Sequence, residues 1–258
     1  MIRLLDGKEW EKKELLDRMD DDNFYYGYLG EAALSSSSIK SLYESPVKYK
    51  AYLAKDSGDV PALREGRLFH MLLLEYGKIP DKYIFVDASS RNTNMFKEAK
   101  LDNPGVEVML NKELRSMSYL VSKIEANYEA SQLLRGGLEE VAGIGEINDL
   151  PFRGKADYLR TDMIVDVKTT SDLSSWVYSA RYKWHYDVQA YIYMQLFNVQ
   201  NFVFLVIDKS TGEIGIYECS EESLEKGKKK VEVACNNYRK YFYDKTENVN
   251  EYVRKGYI

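Results

Sequence analysis

Apolar residues recur every three to four positions through the first half of the chain, a spacing typical of helices with one buried face. The pattern predicts a short helix over 8–18. It predicts two more short helices within 35–54, the first capped by Ser36 or Ser37 and the two separated at Pro46. The first half of the chain is therefore expected to be mainly helical.

Two longer helices complete this half. One begins at Pro61 and has apolar residues at the spacing of a buried helix. The other covers 110–134 and ends at a Gly-Gly pair, a common helix terminus. The acidic, aromatic and glycine-interrupted segment 20–33 is expected to be irregular, and the polar segment 88–105 is expected to be a loop.

After residue 137 the apolar residues no longer follow the helical spacing of three to four positions. Short segments rich in β-branched residues, separated by turn-forming residues, predict consecutive antiparallel strands at 139–147, 152–160 and 163–170. A helical stretch over 173–197, further strands near 201–208 and 213–219, and a closing helix over 221–243 follow. This order predicts an α/β fold with a central mixed β-sheet flanked by helices.

The length and composition favour one globular domain over 1–258, with a mainly helical part over 1–135 and a sheet-bearing part over 136–245. No Gly/Ser-rich or Pro-rich linker interrupts the chain. No apolar run approaches the length of a membrane span, and the start is too charged for a signal peptide. These features predict a cytoplasmic protein that does not associate with a membrane.

The net charge of −5 argues against a protein that coats nucleic acid by bulk electrostatics, although an acidic enzyme can carry a local basic surface. A candidate surface lies near the C-terminus. It contains Lys226, Lys228, Lys229 and Lys230, with Arg239 and Lys240 beyond them. Both a DNA-binding surface and an ordinary solvated helix face fit this lysine run.

A candidate catalytic group lies in the predicted strands 152–160 and 163–170. If Thr161 and Asp162 are the central residues of a tight hairpin, Asp157 lies directly opposite Asp166. Lys168 then emerges on the same face, because side chains of a strand alternate with a period of two. Two carboxylates and an ammonium are thus predicted to lie together.

Two adjacent carboxylates repel each other unless a cation lies between them, and oxygen ligands suit Mg²⁺ or Mn²⁺. Such a metal would activate a water molecule beside Lys168. An ion-pair cluster on a solvated sheet face is equally compatible with Asp157, Asp166 and Lys168 alone. Both interpretations stay open at this point.

Other polar residues are ambiguous when taken one at a time. His70 stands in an apolar helix, where most histidines are satisfied core residues. Gln189 and Tyr193 share one helix face, which is also the spacing of amphipathic packing. The strand before Asp157 carries two acidic residues on one face, Glu140 and Glu146, of which Glu140 is favoured because it opens the strand.

The order of these pieces resembles the PD-(D/E)XK nucleases, and among them the RecE-like (exonuclease VIII-like) phage and prophage exonucleases and RecB-type nuclease domains. The resemblance covers residues 34–210. Its pieces are a Ser-rich opening Leu34 to Lys40, Gly66-x-x-x-His70, a Glu-bearing strand, Gly154-Lys155-Ala156-Asp157, Val165-Asp166-Val167-Lys168-Thr169-Thr170 and Gln189-x-x-x-Tyr193.

This resemblance implies that His70, Asp157, Asp166 and one of the two glutamates bind metal. It implies that Lys168 is the catalytic lysine and that Gln189 and Tyr193 assist. It also implies Mg²⁺-dependent 5′ to 3′ digestion of linear double-stranded DNA from its ends, a homo-oligomer, and a single-strand annealing protein as partner.

The sequence argues against two features found in other nucleases, an iron–sulfur cluster and an ATP motor. Two cysteines cannot supply the four ligands of the iron–sulfur cluster found in some related nucleases, so no cluster is expected. No Walker A string is present, so the chain has no ATP motor of its own. An endonuclease of the same superfamily, or a homologue that binds DNA without cutting it, remains an alternative.

Overall fold

The computed structural model describes residues 1–54 and 60–255. The part before the main sheet is mostly helical and contains two small two-stranded sheets, one antiparallel (β1 and β2) and one parallel (β3 and β4). Its elements are β1 (Ile2–Arg3), β2 (Glu9–Trp10), α1 (Lys12–Arg18), α2 (Leu29–Ala32), α3 (Ser36–Glu44), α4 (Pro46–Leu53), α5 (Pro61–Leu74), α6 (Ile79–Lys82), β3 (Tyr83–Val86), α7 (Asn94–Asp102), β4 (Glu107–Leu110), α8 (Asn111–Ala126) and α9 (Tyr128–Leu133).

The second part holds a five-stranded sheet in the order β5-β6-β7-β8-β9. Every neighbouring pair is antiparallel except β7 and β8, which are parallel and joined through two helices. A mixed sheet flanked by helices confirms the predicted fold class. The elements are β5 (Leu138–Ile147), β6 (Leu150–Leu159), β7 (Met163–Thr170), α10 (Trp176–Tyr182), α11 (Tyr186–Phe197), β8 (Asn201–Asp208), β9 (Ile214–Glu218) and α12 (Glu221–Tyr238).

The segment 20–33 is helical, and the prediction that it is irregular was wrong. A π-helical turn over Asn23–Tyr28 runs into α2. Phe24 and Leu29 are buried there against the N-terminal strands and β5. Tertiary burial of these side chains outweighs the local cost of the glycines, which is why the local pattern misled.

The polar segment 88–105 also contains structure that was not predicted, because α7 lies within it. Thr93 caps this helix, and Phe96 is its single buried apolar residue. The predicted long helix is broken at Asn127, whose side chain accepts a hydrogen bond from the Ala130 amide and begins α9. Ser35, rather than Ser36 or Ser37, caps α3 through a reciprocal capping box with Ser38.

Side chains that alternate along β7 and β8 separate two hydrophobic cores. Ile164 and Phe204 face one core, which α3, α11 and α12 cover. Val165 and Leu205 face the other, which α5 and α8 cover. The site described below therefore lies in a sheet that is buried on both faces.

Helix α11 lies unusually close to the β5–β6 hairpin because two glycines face it. A Cβ on Gly154 would lie 2.7 Å from a ring carbon of Tyr193, and one on Gly143 would lie 2.6 Å from the ring of Phe197. Both distances are too short for a real contact, so a side chain at either position would require the facing ring to move. Among the described residues, no helix is long and apolar enough to cross a membrane.

Candidate active site

The site forms where β6 and β7 separate. The two strands pair at Leu159 with Ile164 and at Tyr158 with Val165, the register expected for a tight hairpin at 161–162. The next pair in this register would be Asp157 with Asp166. The backbone ladder ends before it, and the Asp157 carboxylate instead accepts a hydrogen bond from the Val167 amide at 2.7 Å. The strand divergence thus opens a space lined by carboxylates.

Asp166 is wholly buried at the centre of this space. Its Oδ1 accepts a 2.6 Å hydrogen bond from the Gln189 side chain. Its Oδ2 lies 2.5 Å from the Lys168 ammonium and forms an ion pair with it. Burial raises the pKa of Asp166 to about 6, against the lowering effect of Lys168. Both oxygens of this buried carboxylate are therefore in contact with side chains of the protein, one with Gln189 and one with Lys168.

Lys168 stays protonated in this environment. Burial alone would lower the pKa of its ammonium, but the carboxylates of Asp166 and Asp157 raise the pKa above its ordinary value. Its side chain is 19% exposed, so a substrate can reach it. The chain thus fixes a positive charge at the edge of the acidic space.

His70 projects from α5 toward the same space. Its Nδ1 lies 3.6 Å from Asp157 Oδ2, and its side chain is 24% exposed. Burial, and then the positive charge of Lys168, lower the pKa of the imidazole to about 4. His70 is therefore neutral at pH 7, the form that binds metal ions.

Glu140 lies on β5, which pairs with β6 on the side away from β7. Glu140 lies opposite Asp157, because the pairs on either side of it are Glu139 with Tyr158 and Val141 with Ala156. The backbone of Glu140 is left-handed, with a φ of 49°. Burial, and then the charges of Asp157 and Glu75, raise its pKa to about 8. Two like charges opposite each other on a sheet are unfavourable without a cation.

Ligand atoms of His70, Glu140 and Asp157 all lie within 4.8 Å of one another. Glu146, the alternative to Glu140, pairs with Pro151 near the turn of the β5–β6 hairpin and is not in this group. The geometry thus selects Glu140 as the better candidate of the two acidic positions.

These residues fit a divalent cation. The donor set that converges within 4.8 Å is one neutral imidazole and two carboxylates, and Asp166, which contacts Lys168, lies outside that group. Burial raises the pKa of Asp157 as well as those of Asp166 and Glu140, so the carboxylates are held in positions that disfavour their charge. Oxygen-rich sites of this kind suit Mg²⁺ or Mn²⁺.

The raised pKa of Glu140 predicts a pH-dependent stability of the metal-free protein. Between pH 4.5 and 8 the unfolded chain ionises Glu140 while the folded chain retains the proton, so the free energy of unfolding falls as pH rises through this range. Glu140→Gln should flatten the fall, and saturating Mg²⁺ should reduce it. Thermal melts in EDTA from pH 4.5 to 8 measure this. An unchanged pH slope in the variant would show that Glu140 is not the titrating group.

Gln189 and Tyr193 have different surroundings although they share one face of α11. Gln189 contacts Asp166 directly. Tyr193 packs against Gly154 and Phe202, and no hydrogen bond joins it to the carboxylates among the described residues. Tyr193 thus fixes the distance between α11 and the sheet, while Gln189 reaches the acidic centre.

The candidate lysine surface is largely neutralised within the protein. On α12, Lys226 pairs with Glu222 at 2.6 Å and Lys229 pairs with Glu225 at 3.7 Å. Lys230 turns inward and contacts buried Asp187 at 2.7 Å. Two further cations of this region are also ion-paired: Arg239 with Asp149, and Lys240 with Glu247. These pairs favour the interpretation of a solvated helix face for Lys226 and Lys229.

Lys40 lies at the site and had no assigned role in the sequence. Its ammonium is 4.7 Å from the centre of the Tyr186 ring, and Lys168 is 5.6 Å from the centre of the same ring. Burial, and then the charge of Lys168, lower the pKa of Lys40 to about 8. No ion pair to it is found in the described part of the chain. The only indication of Lys40 in the sequence is that it ends the Ser-rich string Leu34 to Lys40, which leads into α3.

Comparison with known proteins agrees with this geometry. Residues 35–251 match the family described as "PDDEXK-like domain of unknown function (DUF3799)". No curated protein matches the chain.

Two solved structures are similar. The crystal structure of a proposed exonuclease from Eubacterium rectale aligns with a TM-score of 0.67 and 18% identity, covering 98% of this chain and 97% of that chain. A phage-related exonuclease from Haemophilus somnus aligns with a TM-score of 0.36 and 17% identity, over 82% of this chain and 96% of that chain. At this identity the first likeness establishes the fold, and the second adds no argument.

Proposed function

Because this chain belongs to the PDDEXK-like family, which has a nuclease fold, we propose that it is a metal-dependent deoxyribonuclease. More narrowly, we propose a 5′ to 3′ exonuclease that digests linear double-stranded DNA from its ends. The observation that carries the proposal is the convergence of Asp157, Asp166 and Lys168 where β6 and β7 separate, with His70 and Glu140 beside them.

Each residue has a role in this proposal. Asp157, Asp166, His70 and Glu140 would hold Mg²⁺ or Mn²⁺, which when bound lowers the pKa of a water and polarises the phosphate. Lys168 orients the attacking water and offsets charge that develops on the phosphoryl oxygens. Gln189 holds the Asp166 carboxylate in place through its 2.6 Å hydrogen bond, and Tyr193 maintains the packing of α11.

The helical and sheet-bearing parts are proposed to act as one domain, because both supply residues to the site. His70 comes from α5 and Lys40 from α3, whereas the carboxylates come from β5, β6 and β7. Lys40 is the proposed contact for a DNA phosphate next to the one that is cut, since its ammonium has no carboxylate partner within the described residues and lies near Lys168.

The preference for ends rests on the resemblance to RecE-like exonucleases and on the name of the Eubacterium rectale relative, not on the catalytic residues themselves. The same resemblance supports phage-type recombination as the setting, a single-strand annealing protein as partner, and a homo-oligomer. An endonuclease could use the same site, so the mode of attack needs its own test.

Digestion of two DNA forms tests the proposed mode. With Mg²⁺, the protein should release labelled nucleotides from end-labelled linear duplex and should leave covalently closed circles intact, because only the linear form has ends. Ca²⁺ should inhibit, since its larger radius and looser coordination fit transition-state positioning poorly. Rapid linearisation of the circles would replace the exonuclease proposal with an endonuclease. Digestion of a 5′-labelled and a 3′-labelled duplex would give the polarity.

A further inference from the structure

An aromatic and basic segment connects the catalytic strand to α11. Helix α10 exposes Tyr178 and Tyr182, which are 68% and 62% exposed. They lie one helical turn apart, with ring centres 5.0 Å from each other. Large exposed rings cost free energy in water, so a pair of them on one helix turn suggests a surface that is covered in the working state.

Two cations lie in the same segment. Arg181 and Lys183 are exposed. Neither forms an ion pair within residues 1–54 and 60–255, although the charge of Arg181 helps to lower the pKa of Glu222, after the larger effect of Lys226. The ammonium of Lys183 is 5.9 Å from the centre of the Trp184 ring. The lysines Lys226 and Lys229 of α12, by contrast, are already paired with glutamates. The positive charge that Arg181 and Lys183 supply therefore lies beside the exposed rings.

The segment is continuous with the catalytic residues. The Trp184 ring is 5.5 Å from the Tyr186 ring, measured between their centres. Another neighbour of Tyr186 is the Lys168 ammonium, at 5.6 Å from the ring centre. Trp184 and Tyr186 thus connect the end of the segment to the catalytic lysine, and Tyr178 and Tyr182 lie on the helix that precedes Trp184 in the chain.

We infer that Tyr178, Tyr182 and Trp184, with Arg181 and Lys183, form a platform that binds single-stranded DNA beside the catalytic site. This inference deepens the proposed function and rests on it. Exposed aromatic faces stack on unpaired bases, which a duplex hides, and cations between the rings contact the phosphates. The platform would hold a strand that has separated from its partner at the DNA end.

Equilibrium binding without turnover tests the platform. Fluorescence anisotropy of a labelled oligothymidylate in EDTA should give a Kd for wild-type protein. Tyr178→Ala/Tyr182→Ala should raise this Kd by about tenfold or more, as expected when two stacking rings are removed. Tyr178→Phe/Tyr182→Phe should retain affinity, because phenylalanine keeps the ring. Tyr128→Ala, which removes a tyrosine that is 80% exposed on α9, is the matched control and should bind like wild type.

The charges are tested separately by salt dependence. Arg181→Ser/Lys183→Ser should reduce the slope of log Kd against log salt, by about 0.7 for each phosphate that the variant no longer neutralises. Lys229→Ser, which removes a cation that is already ion-paired, should leave the slope unchanged.

The inference is overturned if the alanine double variant binds oligothymidylate as tightly as wild type. It is also overturned if that variant changes only self-association in sedimentation velocity, since the surface would then be a protein contact. Because these assays need no cleavage, a protein that binds through the tyrosines but never cuts DNA would defeat the proposed nuclease and keep the platform. Conversely, a protein that cuts DNA but binds oligothymidylate equally well without the two tyrosines would keep the proposed nuclease and defeat the platform.

Discussion

Lys168→Ala should lower kcat on linear duplex by about 10²–10³-fold while the Kd for DNA changes little. The reason is that the interaction of the ammonium with developing phosphoryl charge strengthens only in the transition state. Single-turnover digestion at saturating Mg²⁺ measures this effect apart from binding and product release. Lys168→Arg should not restore the rate, because a planar guanidinium does not reproduce a compact ammonium placed 2.5 Å from Asp166.

A structural role of Lys168 needs a separate control, because Asp166 is wholly buried. Removing the lysine leaves that carboxylate without its cation, a change that costs about 3–5 kcal/mol in buried pairs. Thermal melts should therefore show a less stable Lys168→Ala protein, and the double variant Lys168→Ala/Asp166→Asn should regain stability without regaining activity. A folded Lys168→Ala protein that cuts at nearly the wild-type rate would contradict the catalytic role.

Asp166→Asn should weaken the binding of Mg²⁺ and Mn²⁺ by at least about tenfold and abolish cleavage. Asparagine keeps the shape of the side chain and can still accept the hydrogen bond from Gln189, but it removes the central formal charge of the site. Isothermal titration calorimetry of the metal, in the absence of DNA, measures the change independently of activity.

A matched variant is available in the adjacent turn. Asp162→Asn removes the same charge from a side chain that is 57% exposed and belongs to the hairpin between β6 and β7. Its metal affinity should equal that of wild type. Equal affinity in the Asp166 variant as well would mean that Asp166 is not a metal ligand.

The hairpin of β6 and β7 could be predicted because the information that specifies it is local. Thr161 and Asp162 form a tight turn, and the turn fixes which residues of the two short strands lie opposite each other. The position of Asp157 relative to Asp166 follows from counting. The end of the ladder at Tyr158 could not be predicted, because it depends on the separate pairing of β6 with β5 and of β7 with β8.

The choice between the two glutamates required the third strand. Glu140 and Glu146 share one face of β5 by the period of two, so the strand pattern cannot separate them. Only the register with β6 puts Glu140 opposite Asp157 and Glu146 opposite Pro151. Long-range pairing, rather than the local sequence, therefore decides which glutamate reaches the site.

Lys40 shows the same limit. Its helix α3 packs on α11 and α12, and this packing carries its ammonium to Tyr186. No spacing in the sequence relates residue 40 to residue 168, so the contact follows from the tertiary arrangement alone. The wrong expectation for 20–33 has a similar origin, since Phe24 and Tyr25 are buried by distant parts of the chain.

The most direct test of metal-dependent cleavage at this site is digestion of end-labelled linear duplex by purified protein, with Mg²⁺ and with EDTA. Wild-type protein should release labelled nucleotides only with Mg²⁺ or Mn²⁺, and Asp166→Asn should release none under either condition. Release by wild-type protein in EDTA, or no release by folded wild-type protein with either metal, would contradict the account.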